Sequence, residues 1–139
     1  MTDFDDVIAL FLSKVTTFEE FSNLNEEEFN EEMAIYIKTA MAKFINKNDI
    51  EANYEARTFS KTLTDLEQEI ISLGMVLAWI TPKVNSIELM KPMLSSKDYT
   101  TFSQANHLKE LKDTKADAEG DFHYWINRYI LKNSIGGGK

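Results

Sequence analysis

Apolar residues recur at helical spacing from the beginning of the chain. Residues 3–14 have carboxylates in their first turn, which suits the start of a helix. One face of this segment is apolar, at Val7, Ile8, Leu10, Phe11 and Val15. The pattern predicts a first amphipathic helix. Thr16 and Thr17 end it, and residues 18–21 fit one further helical turn.

A second helix is predicted to begin after Asn25. Glu28 stands three residues on, the spacing at which the two side chains form a capping box. Apolar residues then follow the helical period, at Phe29, Met33, Ile37, Ala40, Met41 and Phe44. Residues 46–49 form a predicted turn, and the polar residues 50–61 are ambiguous between a loop and a loop with one helical turn.

A third helix is predicted over residues 64–81. Thr64 and Glu67 repeat the capping-box spacing, and Pro82 favours an end near Thr81. Residues 70–80 are apolar on nearly every side, which is typical of a central helix wrapped by others. Gly74 costs about 1 kcal/mol relative to alanine in a helix, so we expect a close helix crossing there.

A long last helix is predicted over residues 103–131, with Ser103 as its candidate N-cap. Its apolar seam has steps of three and four, through Leu108, Leu111, Lys115, Ala118, Phe122, Trp125 and Tyr129. At 1.5 Å per residue this helix would be about 43 Å long. That exceeds the core of a compact domain of this size, so either Gly120 bends the helix or one end projects toward another chain.

These patterns predict an all-α bundle of four to five helices in a single domain over residues 1–133. A short helix over 86–91, stopped by Pro92, and a loop over 95–99 connect the two long helices. Residues 134–139 are predicted to be a flexible tail because of their glycines. Ile135, Gly136, Gly137, Gly138 and Lys139 are therefore the candidate segment for docking to a partner.

Composition supports a folded protein of a reducing cytoplasm, or of a particle assembled there. The chain has 139 residues, of which 43% are hydrophobic and 12% aromatic, and no cysteine. Disulfides and thiolate metal sites are therefore excluded. The acidic start Met-Thr-Asp-Phe-Asp-Asp is the reverse of a basic signal peptide, so we expect no secretion signal. The apolar run at 70–80 is shorter than the about 20 residues of a membrane span.

Negative charge is concentrated at the front of the chain. Residues 1–33 contain ten acidic side chains and one lysine, whereas residues 34–139 are nearly balanced, and the net charge is −8. Helix-dipole placement explains part of this, because the glutamates crowd the first turns of the second helix. The rest forms a candidate interface or lumen surface, at Glu26, Glu27, Glu28, Glu31 and Glu32.

No arrangement of residues points to catalysis, a metal or a cofactor. His107 and His123 lie sixteen residues apart, about 24 Å along one helix, so they cannot share an ion. Glu119 and His123 could pair at i, i+4, which is a weak metal signal. Carboxylate pairs such as Glu27 and Glu31 fit an exposed helix face. Phosphate loops and nucleophile motifs are absent, so we predict a protein that is not an enzyme.

Residues 63–111 carry a resemblance to a known family. A buried helix, Ile71-Ser-Leu-Gly-Met-Val-Leu-Ala-Trp-Ile80, leads to Pro82 and Asn85, and then come Lys97-Asp98 and Phe102-Ser-Gln-Ala-Asn-His-Leu108. The stretch resembles small virion proteins of tailed bacteriophages and is similar in character to head-to-tail adaptor, or connector, subunits. The resemblance implies a helical bundle in a homo-oligomeric ring at the virion neck, assembled in the host cytoplasm.

The resemblance also implies the partners. Such a ring would contact portal-like and tail-completion-like proteins and would enclose a channel through which DNA passes without sequence-specific binding. An acidic lumen would repel DNA phosphates. A second hypothesis is that the chain is a small acidic inhibitor, which mimics DNA by presenting residues 26–32 to a basic host protein. Neither hypothesis involves a membrane.

Overall fold

The predicted all-α fold is confirmed by the computed structural model. It describes the backbone of residues 1–15, 21–44, 50–90 and 102–137, and the side chains of all of these except 87–90, 102–106 and 133–137. Within these ranges lie four helices, α1 (Phe4–Lys14), α2 (Glu26–Lys43), α3 (Asp65–Met90) and α4 (Phe102–Gly137), and a hairpin of two short strands, β1 (Ala52–Asn53) and β2 (Thr58–Phe59). Of the helical turn predicted at 18–21 only Phe21 lies within these ranges, and the turn predicted at 46–49 lies outside them.

Both predicted capping boxes are present, so local sequence places the starts of α2 and α3. Asn25 Oδ1 accepts a hydrogen bond of 2.8 Å from the Glu28 N–H, and Glu28 Oε1 accepts one of 3.0 Å from the Asn25 N–H. Thr64 and Glu67 exchange the same two bonds, at 2.9 and 3.1 Å. Each box satisfies two backbone N–H groups that would otherwise lack a hydrogen-bond partner within the helix.

The central position of α3 is also confirmed. The helix packs against α1, α2 and α4, and Ile70, Ile71, Met75 and Ile80 are fully buried. At Gly74 the crossing of α2 over α3 is as close as expected, because a Cβ added there would lie 2.6 Å from Ala40 Cβ. The ring of Phe122 from α4 approaches the same point to 3.2 Å.

The predicted end of α3 near Thr81 is wrong. The helix continues through Pro82 to Met90, so residues 86–90 of the short helix predicted at 86–91 belong to α3. Proline removes one helical hydrogen bond and disturbs the turn before it. Val84 is buried four residues after Ile80 on the same face, and this packing offsets the local cost of Pro82. The predicted loop at 95–99 lies outside the described residues.

The apolar seam of α4 is confirmed, whereas its boundaries differ from the prediction. Leu108, Ala118, Phe122 and Tyr129 are buried. Gly120 does not interrupt the helix, which ends six residues later than expected, at Gly137. Backbone hydrogen bonding thus extends through Ile135, Gly136 and Gly137, which we had placed in the tail. A helix with a packed segment can add turns at its end at little cost.

Residues 50–61 contain the hairpin rather than the helical turn that we considered. Ala52 pairs with Phe59 and Asn53 with Thr58. The side chain of Asn53 accepts hydrogen bonds from the N–H groups of Glu55 and Ala56. Three main-chain bonds to Thr2 and Phe4 extend the hairpin, including Phe59 N–H to Thr2 O at 2.8 Å. The partner is thus more than fifty residues away in sequence.

Candidate functional site

The five glutamates predicted as an interface or lumen surface separate into two groups. Glu28 caps α2, and Glu32 accepts a hydrogen bond of 2.8 Å from the hydroxyl of Tyr36. These two carboxylates therefore have roles within the fold. Glu26, Glu27 and Glu31 instead line an open cleft of about 510 Å³. All three are exposed, and their side chains form the negative surface of this end of α2.

The opposite wall of this cleft comes from α1 and the hairpin. Phe4, Tyr54 and Arg57 line it, and the rings of Phe4 and Tyr54 meet edge to face at 5.5 Å. Burial of the Tyr54 phenol raises its pKa. Arg57 has a left-handed backbone, φ 58°, and its guanidinium pairs with Asp5 at 2.9 Å. The cleft can attract a cationic partner, but exposed carboxylates are not an acid–base pair.

A second surface on the C-terminal half of α4 was not predicted. Tyr124, Ile130 and Leu131 are 51%, 56% and 60% exposed. They lie outside the apolar seam predicted for α4. The signal in the sequence that could have revealed this surface was the apolar character of residues outside that seam. Tyr124 and Leu131 are seven residues apart and so lie on the same side of α4, whereas Ile130 lies about a third of a turn away. Exposed apolar side chains that share a surface mark interaction sites more often than isolated ones do.

The surroundings of these residues combine aromatic and cationic groups. The rings of Tyr124 and Trp125 contact each other at 5.0 Å, and the guanidinium of Arg128 lies 5.7 Å from the centre of the Tyr124 ring. Next to them a cleft of about 620 Å³ separates α4 from the beginning of α3. Its lining residues are Asp65, Leu66, Glu69, Trp125, Arg128, Leu131 and Lys132.

A buried polar cluster fixes this part of α4 against α3. The side chain of Glu67 is only 3% exposed and receives a hydrogen bond of 2.7 Å from the hydroxyl of Tyr129. Lys61 Nζ donates to the same oxygen at 2.9 Å, and the Thr64 N–H donates to the other at 2.9 Å. The ring of Phe44, from the end of α2, meets Tyr129 at 5.2 Å. Tyr129 of α4 therefore contacts both α3, through Glu67, and the end of α2, through Phe44.

The pKa of Glu67 reflects this cluster. Burial of the carboxyl group acts to raise the pKa, because it penalises the charged form. The hydrogen bonds from Thr64, Tyr129 and Lys61, together with the charge of Lys61, act in the opposite direction and leave the pKa below its ordinary value. Glu67 is therefore a structural anion that holds Tyr129 in place.

The remaining predicted positions do not converge on a site. His107 and His123 are both exposed on α4. In the described ranges there is no group of three or more side chains that could hold a metal ion. Of the helices in these ranges, none is both long and apolar enough to cross a membrane. Gly138 and Lys139 of the predicted docking tail lie outside the description, as does the side chain of Ile135.

Comparison with protein-family models, curated proteins and solved structures finds no match for this chain.

Proposed function

We propose that this chain is a structural subunit that acts by binding proteins in an assembly. Its specific form, implied by the sequence resemblance, is a head-to-tail adaptor of a phage virion. The single observation that carries the binding role is the exposed surface of α4 around Tyr124, Ile130 and Leu131.

The composition of this surface supports protein binding. Aromatic residues and arginine are enriched in the centres of protein interfaces, and here Tyr124 contacts both Trp125 and Arg128. Their backbone is held by the buried contact between Tyr129 and Glu67. A surface that is already ordered loses less entropy on binding, so a larger part of its contact energy appears as affinity.

In the adaptor form, copies of the chain would make a ring at the virion neck. The α4 surface would contact a neighbouring copy or a portal-like protein. DNA would pass through the ring, and carboxylates facing the channel would repel its phosphates. The exposure of Glu26, Glu27 and Glu31 is compatible with a channel or with a contact between subunits.

The test combines sedimentation with negative-stain imaging, for the chain alone and mixed with a portal protein. We expect concentration-dependent assembly that Ile130→Asp together with Leu131→Asp abolishes. Ala116→Asp is the control, because it adds a carboxylate at an exposed position of the same helix. A wild-type chain that stays monomeric in every mixture would refute the proposal.

The inhibitor hypothesis keeps one observation in its favour. Glu26, Glu27 and Glu31 are exposed along one cleft, where a basic protein could reach them. A chain of this kind would bind a nucleic-acid-binding protein tightly as a monomer, and Glu27→Lys with Glu31→Lys would abolish the binding. We leave Glu28 unchanged in this test because it caps α2.

A further inference from the structure

We infer that the C-terminal half of α4 in one copy docks on the exposed acidic face of α2 in a second copy. The inference rests on the proposed assembly function and specifies its first contact. It assigns the role of an intersubunit interface, rather than a lumen, to the negative surface of α2.

The acidic face of α2 is an ordered stripe. We define the acidic stripe as Glu27, Glu31 and Ile35, which follow one another at intervals of four residues. Residues four apart are neighbours on a helix surface. Both glutamates are exposed, and Ile35 is 58% exposed.

The exposed face of α4 has the same spacing with the opposite charge. We define the basic stripe as Tyr124, Arg128 and Lys132, again at intervals of four and all exposed. Arg128 lies against the Tyr124 ring and donates a hydrogen bond of 3.4 Å to its hydroxyl. The guanidinium is therefore held along the stripe before any partner binds.

The two stripes match when the helices run in opposite directions. Ile35 then faces Tyr124, Glu31 faces Arg128, and Glu27 faces Lys132. Each contact thus pairs an apolar group with an apolar group or an anion with a cation. Ridges of residues four apart on both helices interdigitate in the commonest class of helix packing, at a crossing angle of about −50°. The geometry that the match requires is an ordinary one.

Two of the charges in the clefts beside the stripes are paired within the chain. Arg57, in the cleft beside the acidic stripe, pairs with Asp5. Glu69, in the cleft beside the basic stripe, pairs with Lys14 at 3.0 Å. Asp65 is the remaining acid of that second cleft and reduces its positive charge only in part.

Two exposed charges of the opposite sign continue the stripes, because Lys38 follows Ile35 by three residues and Asp121 precedes Tyr124 by three. In the antiparallel match Lys38 faces Asp121, so this further contact also pairs a cation with an anion.

The two stripes occupy separate parts of the surface. The clefts that contain their charged residues have no lining residue in common. A contact between two different patches is heterologous, so each docked copy still presents one free patch, and successive contacts produce a ring if the rotation closes. This is the type of contact that a ring of identical subunits requires.

Charge changes on each stripe test the contact, with sedimentation velocity on the full chain as the measurement. Glu27→Gln with Glu31→Gln, and separately Arg128→Gln with Lys132→Gln, should each weaken self-association about tenfold or more, since each removes two interfacial pairs. Mixed together, the two variants should form a one-to-one complex, because each retains the stripe that the other lacks.

A charge exchange gives the sharper result. Glu27→Lys with Glu31→Lys should prevent association, whereas adding Arg128→Glu and Lys132→Glu to the same chain should restore it. The fourfold variant has the wild-type net charge, so a general charge effect cannot explain the recovery. The control is Glu110→Lys with Glu119→Lys, two exposed acids of α4 outside the basic stripe, which carries the same charge change and should associate like the wild type. Circular dichroism and thermal melting confirm that each variant is folded.

The outcomes separate this inference from the proposed function. If the wild type assembles, alone or on a portal protein, but folded stripe variants assemble equally well, the function stands and the stripe contact is refuted. Failure of the folded fourfold variant to recover association likewise refutes the contact. A wild-type chain that is monomeric alone but binds a portal protein refutes the contact without touching the function. A chain that is monomeric in every mixture refutes both.

Discussion

The hydroxyl of Tyr129 donates a hydrogen bond of 2.7 Å to the carboxylate of Glu67, sixty-two residues earlier in the chain. The bond joins the C-terminal half of α4 to the first turn of α3, where both side chains are buried. Because Arg128 and Ile130 flank Tyr129 in sequence, the same bond sets how the exposed surface of α4 is presented.

Replacing Tyr129 by phenylalanine removes the hydroxyl and keeps the ring that packs on Phe44. We expect the free energy of unfolding to fall by about 1–3 kcal/mol, because a buried carboxylate loses a donor that water cannot replace. Urea denaturation followed by circular dichroism measures the change. Tyr124→Phe, on the exposed side of the same helix, is the control and should change stability by less than about 0.5 kcal/mol. Equal losses in the two variants would contradict the role assigned to Glu67.

The lowered pKa of Glu67 predicts how stability depends on pH. A carboxyl group with a lower pKa in the folded than in the unfolded state adds stability above its unfolded pKa, and this contribution is lost as the pH falls through the folded pKa. At neutral pH, Glu67→Gln should be less stable than the wild type. The difference should shrink on acidification below the ordinary carboxyl range.

Denaturation midpoints measured from neutral to acidic pH check this dependence. Glu119→Gln is the control, since it neutralises an exposed carboxylate on α4. Its difference from the wild type should stay small across the series. If the difference in stability between Glu67→Gln and the wild type stays constant with pH, the ionised form of Glu67 is not what stabilises the fold.

Gly74 in α3 and Gly120 in α4 should respond to alanine in opposite ways. In Gly74→Ala the new methyl group would lie 2.6 Å from Ala40 Cβ and 2.9 Å from Ala40 Cα. Overpacking of this kind costs about 1–3 kcal/mol, more than the about 1 kcal/mol that alanine contributes through helix propensity. A Cβ added at Gly120 would have no atom within 4 Å other than those of the adjoining helix backbone. Gly120→Ala should therefore stabilise the chain by up to about 1 kcal/mol. Thermal melts of both variants measure the signs, and a stabilising Gly74→Ala would contradict the close crossing.

Local patterns identified the helices because their determinants lie within a few residues of one another. The pairs Asn25 with Glu28 and Thr64 with Glu67 start α2 and α3 through bonds that span three positions. The buried seam of α4 follows from a period of three and four in the sequence. The acidic residues at the start of α2 and the capping role of Glu28 were likewise evident, but only the fold showed that Glu32 is engaged by Tyr36.

Tertiary packing decided the features that local patterns misjudged. Pro82 ordinarily ends a helix, yet α3 continues through it, and Val84 in the following turn belongs to the hydrophobic core. The hairpin of residues 52–59 depends on hydrogen bonds to Thr2 and Phe4, which no window around residue 52 contains. The exposed surface of α4 became visible only when Tyr124 and Leu131 were placed on the side that the core leaves open.

The sequence by itself determined the helical class, the starts of α2 and α3, the central position of α3 and the segregation of charge, because propensity, capping and periodicity act over short distances. The tertiary structure alone decided where α3 ends, how residues 50–61 pair, and which charged residues remain for a partner. Those outcomes depend on contacts between segments far apart in the chain, such as Tyr129 with Glu67, and the free energy of such contacts outweighs local preference.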